Sequence, residues 1–285
     1  MLLLPIIYYF IYHYIPMYGI TIAFKKFSIG KGIIGSNWVG FEHFDRLFSS
    51  PVFFNVLGNT LIISISKLLF SFPAPIILAL MLNEIKNMKF RKLSQTVYYL
   101  PHFISWVVLG GIIMDILSPS TGMVNGIIKA LGGQPIFFMA KSGYFRTIVV
   151  ISNIWKEAGW GSIIYLAAMT SINPEIYESA MMDGAGRIRQ MWSITIPSIT
   201  SVIVIVFILN VGKIMSAGFE QIFVLQNNYV LDVAEVIDTY VYKVGLLQLQ
   251  YSFTTAVGLF KSVVGLILVI ITNRIAKMVG EYGVW

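Results

Sequence analysis

Several charged residues lie inside long apolar runs of this 285-residue chain, among them Lys67, Lys156, Glu157, Lys213, Glu220 and Lys261. A charge at the centre of a bilayer costs about 2.5–3.5 kcal/mol on insertion scales, so such residues face a water-filled path or a charged partner. Asn153, Trp155, Trp160, Asn210 and Gln221 sit at similar depths. Amides both give and accept hydrogen bonds, and indole offers a flat apolar face, which together are the chemistry of holding a sugar. Four mid-span lysines against two glutamates give a net positive path, and the expectation is a substrate that carries carboxylates, such as a uronate-containing sugar. The competing reading is that Lys156 and Glu157 form a structural ion pair and that the lysines snorkel toward an interface.

Other chemistries are poorly represented. Cysteine is absent, which removes thiolate metal sites, disulfides and thiol nucleophiles. His13, His43 and His102 are scattered without the spacing of a zinc helix and read as incidental. No nucleophile, base and metal constellation suits an intramembrane enzyme. A phosphate-cradling GxxxxGK[ST] loop is also missing: Gly30-Lys31 is followed by Gly32, and Gly212-Lys213 by Ile214. Energy for any pumping must come from another subunit or from an ion gradient, and a gradient-driven carrier is the rival transport class.

The elements that position these residues follow from composition. Hydrophobic residues make up 57% of the chain and charged residues 12%, with a mean hydropathy of +0.78. A soluble core has no place for that excess, whereas helices in lipid satisfy their own backbone and expose apolar faces. The expected fold is all-α and polytopic, one transmembrane domain over residues 1–285 with about six spans near 2–24, 54–82, 97–117, 144–170, 199–225 and 253–276. The first run is too long for a signal-peptide core and reads as a retained span, with a few residues expected upstream of this numbering. Pro73 and Pro75 predict a bend in the second span. Trp38, Tyr98, Tyr99, Trp106 and Trp285 suit interfacial belts. The formal charge of +7 is dispersed between apolar runs, which argues against nucleic acid.

Lys86, Lys89, Arg91 and Lys92 crowd one loop, which is expected to be cytoplasmic together with both termini, Arg187, Arg189, Arg274 and Lys277. Seven basic residues fall on the other side against these eight, so density and not number favours the orientation.

The loop over 171–197 is the most informative stretch. Asn173 suits a helix N-cap, Pro174 the first helical position, and Glu175 and Glu178 the positive end of the helix dipole. Ile176 with Ala180, and Tyr177 with Met181, place apolar groups on one face of a short helix. Asp183-Gly184 then reads as a turn, and a basic, apolar piece follows from Arg187 to Ile194. Such a helix either lies on lipid headgroups or enters a groove on a partner.

The spacing Glu178, Ser179, Ala180, three residues, Gly184, nine residues, Ile194, one residue, Ile196, Pro197 resembles the EAA loop of importer permeases in the ATP-binding-cassette superfamily. Ser179 stands where that motif usually has Ala, and Ile196 where it has Leu. IPMYGITIAFKKFSIGKGIIGSNWVGFEHF from Ile15, NIWKEAGWGSIIYLAAM from Asn153, GFEQIFVL from Gly218, EVIDTYVYKVGL and YSFTTAVGLFKSVVG extend the likeness over nearly the whole chain. They are similar to sugar-type permeases of the LplB and YteP kind.

The resemblance implies a bacterial inner-membrane subunit that imports oligosaccharides derived from polysaccharides. Its implied partners are a second, similar permease, two ATP-binding subunits that use ATP and Mg²⁺, and an extracytoplasmic solute-binding protein. It also implies that Glu178, Ser179, Ala180, Asp183, Gly184, Ile194 and Pro197 belong to a coupling element that docks on the ATPase.

Overall fold

The computed structural model describes residues 2–278 together with Gly280 and Gly283; Trp285, assigned above to an interfacial belt, lies outside them. The chain opens as a helical run, α1 (Leu3–Tyr9), continuing through a π turn at Phe10–Tyr14 and Ile15–Met17 into 3-10 turns at Tyr18–Phe24. Pro16 has no N–H to donate one turn back, which accounts for the widened turn ahead of it. A two-residue hairpin follows, β1 (Lys25–Lys26) antiparallel to β2 (Asn37–Trp38), and then α2 (Glu42–Phe48).

The second apolar run forms α3 (Pro51–Phe70) and α4 (Pro73–Asn83). Ser50 caps α3 by accepting the Phe53 N–H, and Pro51 occupies the first turn where no donor is needed. The break falls at Ser71–Phe72, where Pro73 and Pro75 cannot donate to Leu69 and Ser71.

The third run is not the straight span expected over 97–117. It is α5 (Met88–Tyr99), a 3-10 turn at Leu100–Phe103, and α6 (Trp106–Ile116), with the two arms bent by 99°. Pro101 tightens the end of the first arm, and Ser105 starts the second by accepting the Val108 N–H. After α7 (Met123–Ala130) comes α8 (Ser142–Thr170), 29 residues long and close to the expected fourth span.

Beyond α9 (Pro174–Met182) lies a second correction. The fifth helix, α10, runs Arg187–Gly212, so it begins inside the loop over 171–197 and ends well short of Leu225. A π turn at Met191–Thr195 precedes Pro197, for the same reason as at Pro16. The chain then turns and re-enters as the short α11 (Phe219–Leu225). Gly218 has φ +94, a conformation that side chains with a Cβ resist, and this lets the apolar run fold back instead of continuing. After a short turn of helix at Leu231–Ala234 come α12 (Ile237–Val241), which runs on into a π turn at Tyr242–Leu247, and α13 (Tyr251–Met278).

Pro51–Asn83, Arg187–Gly212 and Tyr251–Met278 are long and apolar enough to cross a membrane; the bent α5–α6 pair makes a fourth if it is one span. α8 has the length, but Arg146, Lys156 and Glu157 interrupt its apolar surface.

Three buried clusters hold the helices together. Ile222 and Leu225 of α11 join Ile63, Phe145 and Val149, so the re-entrant helix plugs the bundle. Leu47, Phe53, Met215, Ile237 and Phe253 form a second cluster, and Ala79, Leu82, Tyr165, Leu166 and Ile199 a third. Glycines set the closest approaches. A Cβ on Gly159 of α8 would lie 1.8 Å from the carbonyl oxygen of Tyr98, and one on Gly212 would lie 2.6 Å from Val269 of α13.

Candidate functional site

α3, α8 and α10 enclose a cavity of about 550 Å³. Each helix contributes one face, because residues three and four apart stack along a helix. Ser64, Lys67 and Ser71 come from α3 and the break after it; Asn153, Glu157 and Trp160 from α8; Asn210 and Lys213 from the end of α10. The wall therefore carries two lysines and one glutamate, in place of the four and two expected from sequence. The excess of positive charge survives with fewer members, Lys67 and Lys213 against Glu157.

Lys67 Nζ donates to the Ala217 carbonyl at 2.7 Å and to Gln221 Oε1 at 2.6 Å. Gln221 is 1% exposed and sits behind the wall, its Nε2 donating to Val149 O at 2.7 Å and Ser152 Oγ at 2.9 Å. It is a strut and not a lining residue. Asn210, another wall residue, donates its Nδ2 to Val206 O at 2.8 Å.

Lys156 is a further correction. It is 6% exposed and lies off the cavity, with Nζ donating to the carbonyls of His102 and Ile104, both at 2.6 Å. A buried ammonium thus meets the carbonyls that the bent α5–α6 pair leaves free where the helix stops. The Lys156–Glu157 separation is 4.0 Å, but Glu157 is engaged at closer range by His102 Nδ1 at 2.9 Å. The His102 ring stacks on Trp160 with centroids 4.6 Å apart and planes at 3°. His102, read as incidental from sequence, therefore joins two wall residues. Its signal was present as a polar residue between Pro101 and Phe103 in an apolar run.

Three more candidates fall elsewhere. Trp155 is 52% exposed and does not line the cavity. Glu220 lies in the first turn of α11, off the wall. Lys261 is ion-paired with Asp238 at the start of α12. The cavity also includes Pro75, expected from sequence only to bend the helix, and Phe72 and Tyr165, which sequence reasoning passed over.

The second set of residues surrounds α9. Asn173 Oδ1 accepts the Glu175 N–H at 3.1 Å, as expected of a cap. The helix closes with Ala185 N–H to Ala180 O at 2.9 Å and Gly184 N–H to Met181 O at 3.0 Å, and Gly184 has φ +76. These two bonds are those of a Schellman ending, which needs a left-handed residue at this position. Ser179, Ala180, Asp183 and Ile194 line a shallow groove of about 380 Å³ with Asn173, Glu175 and Ile176. Glu178 and Gly184 are exposed outside it, and Pro197 lies on α10. One hydrogen bond, Tyr177 Oη to Thr195 Oγ1 at 2.9 Å, ties α9 to α10. No residue of α9 is buried, and Met181, Met182, Ile188 and Trp192 are all exposed, Met182 at 89%. Large apolar groups left open in this way mark a surface that takes a partner.

Comparison with known proteins bears on both sets. Residues 71–280 match the family described as binding-protein-dependent transport system inner membrane component. The chain is 48% identical to the polygalacturonan/rhamnogalacturonan transport system permease protein YteP of Bacillus subtilis, covering 100% of this chain and 89% of that one. It is 46% identical to protein LplB of the same organism, with 100% and 90% covered. Among solved structures, a chain of a bacterial alginate ABC transporter in complex with an alginate pentasaccharide-bound periplasmic protein superposes with a TM-score of 0.92 at 43% identity, covering 100% of this chain and 95% of that chain.

Proposed function

Because the chain belongs to the family of binding-protein-dependent transport system inner membrane components, we propose that it is the permease of an ATP-binding-cassette importer that admits oligosaccharide fragments of a polysaccharide. The observation that carries this reading is one helix. α10 begins beside the exposed α9 turn and ends at Lys213 on the cavity wall, so a single rigid element joins a partner-docking surface to a polar cavity. In this reading α9, with Glu178, Ser179, Ala180, Asp183 and Gly184, seats on an ATP-binding subunit, and Ile194 and Pro197 belong to the root of α10 that moves with it. A second, homologous permease completes the path, a binding protein delivers the sugar from outside, and ATP with Mg²⁺ acts on the two ATP-binding subunits and not on this chain.

The six-span topology, with both termini on the cytoplasmic side, counts α1 with its continuation, α3–α4, α5–α6, α8, α10 and α13 as the spans. Lys86, Lys89, Arg91 and Lys92 then lie on the same side as α9. Arg187 Nη1 approaches Glu84 Oε2 at 3.8 Å, which sets the loop after α4 beside the root of α10. The ion-gradient carrier entertained from sequence has no support in this family.

Vesicles carrying the assembled complex test the reading. Oligosaccharide uptake is expected only with the ATP-binding subunits and ATP present, and it should persist after an ionophore collapses ion gradients. Gradient-driven uptake by this chain without an ATPase would overturn it.

A further inference from the structure

The two lysines on the cavity wall are not equivalent. Lys67 is committed: two short hydrogen bonds fasten its ammonium to Ala217 O and Gln221 Oε1, and Gln221 is itself held by Val149 and Ser152. A Cβ on Gly218 would come within 3.1 Å of Lys67 Nζ, so the turn between α10 and α11 is shaped around this side chain. Lys67 acts as a post that holds the turn closed. Lys213 differs in each respect. It is the C-cap residue of α10, its side chain is exposed, and among the described residues it has neither an ion pair nor a side-chain hydrogen bond. Glu157, the only acid on the wall among the described residues, is engaged by His102. The negative end of the α10 dipole favours an ammonium at this position.

Resting on the importer reading above, we infer that Lys213 is the residue that selects carboxylate-bearing sugars, while Lys67 supports the wall without reading the substrate's charge. An ammonium with three donors and no protein acceptor has its hydrogen bonds to give, and a uronate carboxylate accepts them as charge-assisted bonds. Asn210 lies three residues earlier, on the same face of α10, and Asn153 faces the cavity from α8. The amides suit sugar hydroxyls adjoining the carboxylate. Trp160, held by His102 and Phe103, is 45% exposed and lines the cavity, where its indole offers apolar surface to a pyranose ring. Selection falls to Lys213 because it is the one cation on the wall without a partner among the described residues.

The experiment measures equilibrium binding of a labelled oligogalacturonate, and of the same oligosaccharide with its carboxyls reduced to alcohols, to the detergent-solubilised complete complex without the binding protein. The wild-type complex should prefer the oligouronate by about tenfold or more, the ratio expected from one charge-assisted hydrogen bond. Lys213→Gln should bring the two sugars to equal affinity, and Lys213→Arg should retain the preference. Co-purification of each variant with the ATP-binding subunits checks assembly. The inference is overturned if the wild type binds both sugars equally, if Lys213→Gln keeps the preference, if Lys213→Arg loses it, or if neither sugar binds although ATP-driven uptake proceeds. A wild-type complex with no ATP-driven uptake at all would instead refute the importer reading.

Discussion

Replacing Gly159 with alanine is the most demanding test of the packing that supports the cavity. The added methyl would lie 1.8 Å from the carbonyl oxygen of Tyr98 and 2.4 Å from its carbonyl carbon, whereas ordinary contact starts at 3.4 Å. α8 and the end of α5 must therefore separate by about 1.6 Å. The atoms struck are main chain, so trimming the Tyr98 side chain gives no relief. Overpacking of this kind costs about 1–3 kcal/mol, and the upper end applies where backbone is displaced. The same seam carries Lys156 on the His102 and Ile104 carbonyls, the His102–Glu157 bond and the His102–Trp160 stack. Loss of one charge-assisted bond adds about 1.5–3 kcal/mol. The total, about 4–6 kcal/mol, corresponds to a fall in melting temperature of roughly 10–20 °C at about 2–4 °C per kcal/mol. Gly58→Ala is the control, since a Cβ there meets nothing within 4 Å; removing a helix glycine should leave stability equal or raised by about 0.5–1 kcal/mol. Thermal unfolding of the purified protein in detergent reads both. A Gly159→Ala melt within about 2 °C of wild type would mean that the seam is not rigid and that the argument from close approach is wrong.

Three further outcomes follow from the same geometry. Gly184→Glu places a side chain at φ +76, a strain of about 1–2 kcal/mol, in the exposed turn after α9; the ATP-binding subunits should no longer co-purify while membrane insertion is unchanged, and normal co-purification would remove this turn from the docking surface. Tyr177→Phe deletes the bond to Thr195, worth about 1 kcal/mol, and should lower sugar transported per ATP hydrolysed by about fivefold; an unchanged ratio would show that α9 needs no tether to α10. Lys156→Met leaves the His102 and Ile104 carbonyls without their ammonium and should destabilise the protein by about 2–3 kcal/mol in a denaturant or thermal assay; a neutral result would mean that the 99° bend is held by other contacts.

Local signals in the sequence were easiest to interpret where the backbone alone decides the outcome. The Asn173 cap, Pro174 at the first turn and the Asp183-Gly184 ending all form as expected, because each depends on a few neighbouring residues. The lengths of α8 and α13 follow from their long apolar runs, although Arg146, Lys156 and Glu157 interrupt the first and Lys261 the second. The boundaries of α10 did not, since hydropathy sees Ile214–Leu225 as more span and has no means of sensing that α11 packs under α6. There a Cβ on Gly110 would meet Val224 at 2.3 Å, a contact set by tertiary structure. The lysines show the same limit. Depth along a helix is legible, but the side of the helix that faces a carbonyl, an acid or open space is not. Lys156 found backbone, Lys261 found Asp238 and Lys67 found a turn, while Lys213 has no side-chain partner among the described residues. His102 acquires its role from Glu157 and Trp160, more than fifty positions away, and no local pattern announces that.

The 26-residue course of α10 has a mechanical corollary. At about 1.5 Å per residue it is a rod of roughly 39 Å, with the widened π turn near one tip and Lys213 at the other. The π turn lies about 30 Å from Lys213, so a rotation of about 10° around it sweeps the Lys213 tip through roughly 5 Å, about the width of a sugar ring. Levers of that ratio convert a modest displacement at the root into a change of address for whatever the far tip is holding.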